Sequence, residues 1–453
     1  MYKLKYKTVL KTFPTGGIHP PDNKLTAGIG LRYLPVPESV AIPVSQHIGA
    51  PANIVVNKGD YIKTGELIAA ANGFISANIH ASISGKVNRI DTITDVSGYP
   101  QTAVFIDVEG DEWVKTIDRS SEINKEIKLT TEEIIKRCCE SGIVGMGGAT
   151  FPSHVKLSVP EGKKCTVLII NGVECEPYLT ADHRLMIEKG EQVLTGITIL
   201  MKALRVEKAM IGIESNKPDA INHIRNLATG FKGITVHALK VKYPQGGEKQ
   251  LIKALMNREV PSGHLPLDIG TVVYNVGTAF AVYEAVQKNK PLFERVVTIT
   301  GKSLTNPGNF FVRIGTPVSK LIEAAGGMPG DTGKIVNGGP MMGRAISNID
   351  VPVIKGTSGI LLLPRTESQR AEIKPCIRCA RCVSVCGFSL EPFLLMTLSE
   401  KGLYERAANE RITDCLECGS CSYICPANRP LLDYIRLGKS TVIRMARERN
   451  MKQ

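Results

Sequence analysis

The chain has 453 residues, enough for about three domains of roughly 150 residues, each able to bury its own core. With 43% hydrophobic and 22% charged residues it is composed like an ordinary folded protein, which excludes a disulfide-stapled miniprotein, a fibre or a disordered tail. The formal charge is +13, yet the excess is spread along the chain and aromatics make up only 5%; the dense basic stripe of a nucleic-acid binder is missing, and no nucleic-acid partner is expected.

The start, Met1 to Thr12, alternates lysine with apolar residues but has no apolar core region or small-residue cleavage site, so it does not read as a secretory signal. No stretch approaches the roughly 18 to 20 apolar residues of a membrane helix. The nearest, Thr271 to Val286, is broken by Asn275, Gly277 and Glu284. Between Val55 and Ile90, residues alternate apolar and polar around Gly59, Gly65 and Gly85. This resembles half of a lipoyl or biotinyl barrel-sandwich, placed in a first domain over residues 1–128. Such domains carry a modified lysine at a hairpin tip. No lysine occurs between Lys63 and Lys86, so a structural, docking role is expected instead. His19 and His80 stand alone and read as hydrogen-bonded structural residues.

Residues 129–292 alternate strand and helix signals, the pattern of an α/β domain with a largely parallel sheet. Thr130 and Glu133 make a capping box ahead of Ile134, Ile135 and Cys138, and Gly142 suits the helix end. Strands are predicted at Thr166 to Ile170, Ala209 to Ile213, Ile234 to Val241, Val272 to Tyr274 and Val296 to Thr300. The turn Gly145-Met146-Gly147-Gly148-Ala149 lies between the first helix and the first strand. Its glycines let backbone amides approach a phosphate, but the spacing is not that of a dinucleotide fingerprint, so phosphate binding and a plain tight turn both stay open. Cys175 lies between Glu174 and Glu176, which disfavour a thiolate nucleophile. Cys138, Cys139 and Cys165 read as core residues. A third domain, residues 293–364, carries turn glycines, an apolar helix at Val318 to Ala325, and Met341 and Met342 as packing residues.

Eight of the twelve cysteines crowd into the final domain, residues 365–453. They form two runs of one spacing, Cys376-x-x-Cys379-x-x-Cys382-x-x-x-Cys386 and Cys415-x-x-Cys418-x-x-Cys421-x-x-x-Cys425-Pro426, an internal duplication that differs in having Gly387 where the second run has Pro426. Three close cysteines wrap three corners of a cubane while the fourth points elsewhere, so each fourth cysteine serves the other cluster. That assigns Cys376, Cys379, Cys382 and Cys425 to one 4Fe-4S cluster and Cys415, Cys418, Cys421 and Cys386 to a second. Zinc would need only paired cysteines, and disulfides an oxidising compartment, so both are weaker readings. Arg378 and Arg381 would lie near an anionic cluster, either solvated or docking a partner. Helices are expected at Pro392 to Lys401 and Leu403 to Asn409. After Pro430 the tail reads as a basic amphipathic helix with Gly438 as its weak point, suited either to packing on its own domain or to a membrane surface or integral partner.

Gly145-x-Gly147-Gly148-Ala149-x-Phe151-Pro152 with Lys156, Asn171, Glu174-Cys175-Glu176-Pro177, Gly247-Glu248 and Tyr274-Asn275-Val276-x-Thr278 resemble the flavin and NADH site of the 51-kDa-type flavoprotein subunit of respiratory complex I. Joined to Phe13-Pro14-Thr15-Gly16-Gly17-Ile18-His19-Pro20 and the paired cysteine runs, they make the whole chain resemble the RnfC family of Rnf electron-transport complexes. The resemblance implies four modules: a barrel-sandwich N-terminal domain, a Rossmann-like α/β flavin domain, an SLBB-type β-grasp domain and an α-helical domain with two 4Fe-4S clusters. It implies that Gly145, Gly147, Gly148, Lys156, Asn171, Glu248, Asn275 and Thr278 contact FMN, with Phe151 and Glu176 on the nicotinamide side. Met146 stands where complex I usually has arginine, and Lys249 where it has a second glutamate, which weakens the nucleotide contacts but not the flavin turn.

The chemistry agrees: a hydride carries two electrons and a cluster accepts one, so a flavin must stand between them. Lys156 and backbone amides suit the phosphate. Glu174 and Glu176 suit ribose or amide hydrogen bonds, or else act as plain helix-start or loop carboxylates. The expectation is thus a peripheral subunit on the cytoplasmic side of the cell membrane. It would exchange hydride between NAD(H) and FMN and pass single electrons through its clusters to the integral and peripheral subunits of an ion-translocating Rnf complex, and through that complex to a ferredoxin-type carrier. A soluble ferredoxin-linked dehydrogenase subunit with another donor, and a non-catalytic electron-wiring adaptor, are the alternatives.

Overall fold

The computed structural model describes residues 10–450, so most of the lysine-rich start, Met1–Thr12, lies outside the described residues. Eight strands come first: β1 (Leu31–Tyr33), β2 (Ser39–Pro43), β3 (Asn53–Ile54), β4 (Tyr61–Ile62), β5 (Leu67–Ala70), β6 (Ile79–His80), β7 (Gly85–Thr94) and β8 (Pro100–Val108). Seven of them form two sheets in the orders β2-β8-β7-β4 and β3-β5-β6, the expected barrel-sandwich. Strand β1 stands apart. It pairs in parallel with a strand of the third domain, and upstream of it Lys11 and Ile18 bridge Leu239 and Tyr243. The chain ahead of the barrel-sandwich therefore runs along open edges of two other domains, covering backbone that would otherwise be unpaired.

The α/β domain contains α1 (Thr131–Glu140), α2 (Ser153–Leu157), β9 (Val167–Asn171), α3 (Ala181–Glu188), α4 (Gly190–Leu204), β10 (Ala209–Glu214), α5 (Pro218–Ala228), β11 (Ile234–Leu239), α6 (Glu248–Met256), β12 (Thr271–Asn275) and α7 (Val276–Lys288). Its sheet is wholly parallel in the order β11-β10-β9-β12. The reversal of strand order beside β9 puts the carboxyl ends of β9 and β12 at the position where such sheets bind ligands. The Thr130–Glu133 capping box forms, and the far end of α1 closes with Gly142 at φ +62° and Ile143 N–H donating to Cys138 O.

The next strand, β13 (Glu294–Thr300), falls in the third domain and joins β14 (Gly308–Arg313), β15 (Thr332–Asn337), β16 (Arg344–Ile346) and β17 (Gly359–Pro364) in a mixed sheet, β1-β14-β13-β17-β15-β16, with α8 (Val318–Ala324) between β14 and β15 in sequence. It is buried from Glu294 to Thr300 and pairs antiparallel with β14.

The final domain is helical: α9 (Arg365–Ser368), α10 (Arg381–Ser384), α11 (Pro392–Glu400), α12 (Tyr404–Asn409), α13 (Ser420–Ile424) and α14 (Leu431–Asn450). Helix α14 turns Leu431, Leu432, Ile435 and Val442 into the domain core, so its apolar face packs at home. Gly438 is no weak point. A Cβ there would lie 2.0 Å from Ser399 Oγ, so the missing side chain is what lets α14 lie close against α11. Among the described residues no helix is long and apolar enough to cross a membrane.

Candidate functional site

The glycine turn is pinned at both ends. Gly145 N–H donates to Phe151 O (2.9 Å) across the Val144–Pro152 bridge, and Met146 N–H donates to Thr278 Oγ1 (2.9 Å) in the first turn of α7. Between these anchors Gly147, Gly148 and Ala149 are exposed. The turn lies flat on Asn275, because a Cβ on Gly147 would come within 2.9 Å of Asn275 Cβ. Asn275 itself ends β12 and caps α7, its Oδ1 accepting from Gly277 N–H (2.8 Å) while its Nδ2 donates to Asp182 Oδ2 (2.6 Å).

Asp182 starts α3, and its carboxyl is pushed up to about 7, first by burial and then by the negative charge of Glu174. Glu174 caps that helix: its two oxygens accept from the Asp182 and His183 amides (2.8 and 3.1 Å). The helix-start alternative for Glu174 is thus the one its contacts display. Asn171, ending β9, donates to Gly246 O (2.8 Å) and accepts from Val173 N–H. Lys156 Nζ donates to Val273 O (2.7 Å) and lies 3.3 Å from Glu248 Oε1. The structure therefore gathers Gly145, Gly147, Gly148, Asn275 and Thr278 around one turn, with Glu174 joined to it through Asp182, while Lys156 and Glu248 meet each other beside β12 at Val273. Glu176 turns toward the third domain, accepting from the Met341 and Met342 amides and approached by the Tyr243 hydroxyl (3.1, 2.8 and 3.2 Å). Burial raises its carboxyl above the usual range. Cys175 is pushed well up, by burial first and then by Glu214 and Glu176, which leaves it a thiol.

Sequence reasoning passes over Lys24. Its ammonium donates to the carbonyls of Glu174, Glu176 and Leu179 (2.8, 2.8 and 2.7 Å), winding the acidic loop around one buried cation. Burial and neighbouring Lys217 hold it down to about 8. A lysine in the proline-rich lead segment has no spacing that would reveal this. Replacing it with methionine leaves three inward carbonyls without their donor, at about 1–3 kcal/mol each before relaxation. Lys24→Met should lower the denaturant midpoint markedly, as measured by urea unfolding.

The two cysteine runs repeat in backbone as well as in spacing. Arg378 and Glu417 are left-handed at φ +54° and +60°, as are Ala380 and Gly419 at φ +57° and +78°, each pair at the same offset in its run. Side chains in that region are disfavoured, so the loops are bent to wrap something. Cys376, Cys379, Cys382 and Cys425 line one cavity of about 480 Å³, walled also by Phe393 and Met396. Cys386, Cys415, Cys418 and Cys421 form the other group: burial and then the charges of Cys415, Cys418 and Cys386 push the Cys421 thiol up to about 12.

The Cys386 group abuts the α/β domain. Tyr243 donates to Cys418 O (2.8 Å), Leu416 meets Gly247, and Gly17 N–H donates to Val385 O (2.8 Å). Gly16, left-handed at φ +71°, lies so close to the Val385–Gly387 backbone that a Cβ would sit 2.6 Å from Cys386 C. In the other group Cys376 and Cys379 are exposed, with Ile377 68% exposed beside them. His19 and His80 are structural as expected: His19 Nδ1 meets Val241 O, and burial keeps His80 neutral.

Family models match in the same order as these modules: the RnfC barrel sandwich hybrid domain at residues 11–111, the Nuo51 FMN-binding domain at 138–284, the SLBB domain at 296–345 and a 4Fe-4S dicluster domain at 375–429. The fold and site thus define an iron–sulfur flavoprotein of the redox class. A Clostridium ljungdahlii protein, named as the C component of a proton-translocating ferredoxin:NAD(+) oxidoreductase complex, is 48% identical over 441 residues, covering 95% of this chain and 94% of its own. The Acetobacterium woodii Na(+)-translocating counterpart is 44% identical over 437 residues (96% and 98%), and the corresponding component of a Rhodobacter capsulatus ion-translocating oxidoreductase complex is 43% identical over 430 (94% and 82%). The chain belongs to the RnfC family.

Proposed function

We propose that this chain is the NADH-handling peripheral subunit of an ion-translocating ferredoxin:NAD+ oxidoreductase, seated on the cytoplasmic face of the membrane against integral and peripheral partner subunits. The observation that carries this reading is the segment Tyr243–Gly247. On one side Gly246 O is bonded to Asn171 at the end of β9, and on the other Tyr243 and Gly247 touch the loop of Cys415–Cys421. The strand end beside the glycine turn and a cluster loop thus share one wall.

The residues fit FMN. The turn Gly145–Gly148 offers open backbone, and the clearance over Asn275 exists only because Gly147 lacks a Cβ. Asn275 and Thr278 hold the turn; Asn171 and Glu174 hold the strand and helix ends around it; Lys156 and Glu248 stand ready for the phosphate and ribityl chain. FMN held there would supply the chemistry the side chains lack, taking up two electrons as hydride and releasing them one at a time to clusters. Asp182, whose carboxyl titrates at about 7, shares a proton with solvent beside Asn275 in the neutral range. Phe151 and Glu176 border the nicotinamide end, Glu176 fixed by the Met341–Met342 amides. The thiolates of Cys386, Cys415, Cys418 and Cys421 hold the 4Fe-4S cluster against the flavin domain. Those of Cys376, Cys379, Cys382 and Cys425 hold the one at the surface, where a partner's redox centre can approach.

Anaerobic reconstitution with iron, sulfide and FMN, followed by an NADH titration read by visible and EPR spectra, tests this. The expected result is flavin bleaching and reduced-cluster signals. Protein that holds both flavin and iron yet does not bleach with NADH overturns the reading, and protein that refuses FMN in excess returns it to an electron-wiring adaptor.

A further inference from the structure

The barrel-sandwich hairpin β5–β6 ends in a loop, Ala71–Asn78, at the place where carrier domains hold a modified lysine. Here the tip is Phe74, 62% exposed, flanked by Ile75 (44%) and Ile48 (48%). The loop is braced from within: Ala71 N–H donates to Asn78 Oδ1, Asn72 N–H to Ser76 Oγ, and Ala77 N–H to His47 Nε2 (2.8, 2.9 and 3.0 Å). It is also tied to the flavin domain. His154 Nε2 bonds Phe74 O (2.9 Å), the two rings meet edge to face with centroids 5.8 Å apart, and Ile48 N–H donates to Thr150 O (3.4 Å). Thr150 follows directly on the exposed turn Gly147–Ala149.

A single apolar ring in water is ordinary; Phe74 stands apart because its loop is rigid and is tied, through His154 and through Ile48 to Thr150, to the segment that carries the exposed glycine turn. The patch is three side chains wide, far short of the core of a protein–protein interface. It matches one flat heteroaromatic ring, and such a ring stacks on an aromatic side chain whatever its identity. We infer that Phe74, flanked by Ile75 and Ile48, is the platform for the adenine ring of NAD(H), so that the barrel-sandwich supplies half of the dinucleotide site. This rests on the NADH reading above and extends it. It turns the first domain from a docking module into a determinant of specificity: a dinucleotide spans both domains, whereas a nicotinamide mononucleotide reaches only one. Because the loop is held before the ligand arrives, little ordering opposes the stack.

The test uses the full chain loaded with FMN and clusters, comparing wild type, Phe74→Ala and Phe74→Tyr. ADP-ribose, which carries adenine but no redox group, is titrated by calorimetry; NADH and reduced nicotinamide mononucleotide are titrated by flavin bleaching. Phe74→Ala should weaken ADP-ribose binding about tenfold, within the range of one base–aromatic stack. It should raise the half-saturating NADH concentration by a similar factor and leave the mononucleotide unchanged, while Phe74→Tyr behaves as wild type. The inference is overturned by unchanged ADP-ribose binding in Phe74→Ala, by no ADP-ribose binding in wild type, or by equal losses for NADH and the mononucleotide. Absence of bleaching by NADH in wild type would instead sink the broader reading, and the ADP-ribose titration would still report on Phe74.

Discussion

Cys386→Ser is expected to remove the cluster facing the flavin domain and leave the surface one. Iron should fall from about eight to about four atoms per chain. The reason lies in the grouping of thiols: Cys386 follows the first run in sequence but shares its crowding with Cys415, Cys418 and Cys421 of the second. Flavin bleaching by NADH should survive, since the turn Gly145–Gly148 is held by Phe151, Asn275 and Thr278, all in the α/β domain. Delivery of electrons to an acceptor at the surface should fall by more than about 100-fold, because even partners of a metal ligand commonly cost 10- to 100-fold when removed. Cys425→Ser should give the mirror result: half the iron, bleaching intact, and a remaining cluster that NADH still reduces. If Cys386→Ser instead leaves an EPR signal that disappears only when Cys415 is also replaced, each run closes on its own cluster and the crossed assignment is wrong.

Asp182→Asn should change how stability depends on pH. The carboxyl titrates at about 7 in the folded chain, against an ordinary value of 3.8. Between those values the folded state holds a proton the unfolded state has released, so wild-type stability declines as pH rises from about 4 to about 7 and the loss is complete above that. Asparagine imitates the protonated carboxyl and keeps an acceptor for Asn275. The variant should therefore match wild type near pH 4 and become the more stable of the two as pH rises, with the gap levelling off above about pH 7 at a few kcal/mol at most. Paired melting curves from pH 4 to 9 measure this. Taking the difference cancels the opposite trend from Lys24 and Lys355, whose ammonium groups are held down to about 8 and about 7 by burial. A gap that does not vary with pH would show that Asp182 is charged throughout.

Much of the site is legible in the sequence because its signals are local. The cysteine spacing survives as a backbone repeat down to matching left-handed residues, and the parallel strands are readable from short apolar runs between helical stretches. What stays hidden depends on contacts between distant segments. Glu174 looks the same in sequence whether it serves a ribose or a helix start; only the position of α3 shows its oxygens on the Asp182 and His183 amides. Asp182 looks like an ordinary helix-start acid until Asn275 and Glu174 close around it. Lys24 and Phe74 sit in segments whose partners lie far along the chain, and no period or motif announces them. Gly438 misleads for a related reason: glycine weakens an isolated helix, and its benefit emerges only once Ser399 is placed against it.

The strand-like lead segment has a bearing on biogenesis. Gly16 and Gly17, which rest on the backbone around Cys386, leave the ribosome early, and the cysteines they cover leave it late. Domains generally fold as they emerge, so the earliest residues must wait, or be held along the edge strand β11, until the final domain arrives. Loading of iron and sulfide into the inner loop is thereby expected only after the second cysteine run, Cys415–Cys425, has emerged, and a polypeptide cut off ahead of it is left with a flavin turn but nowhere to send its electrons.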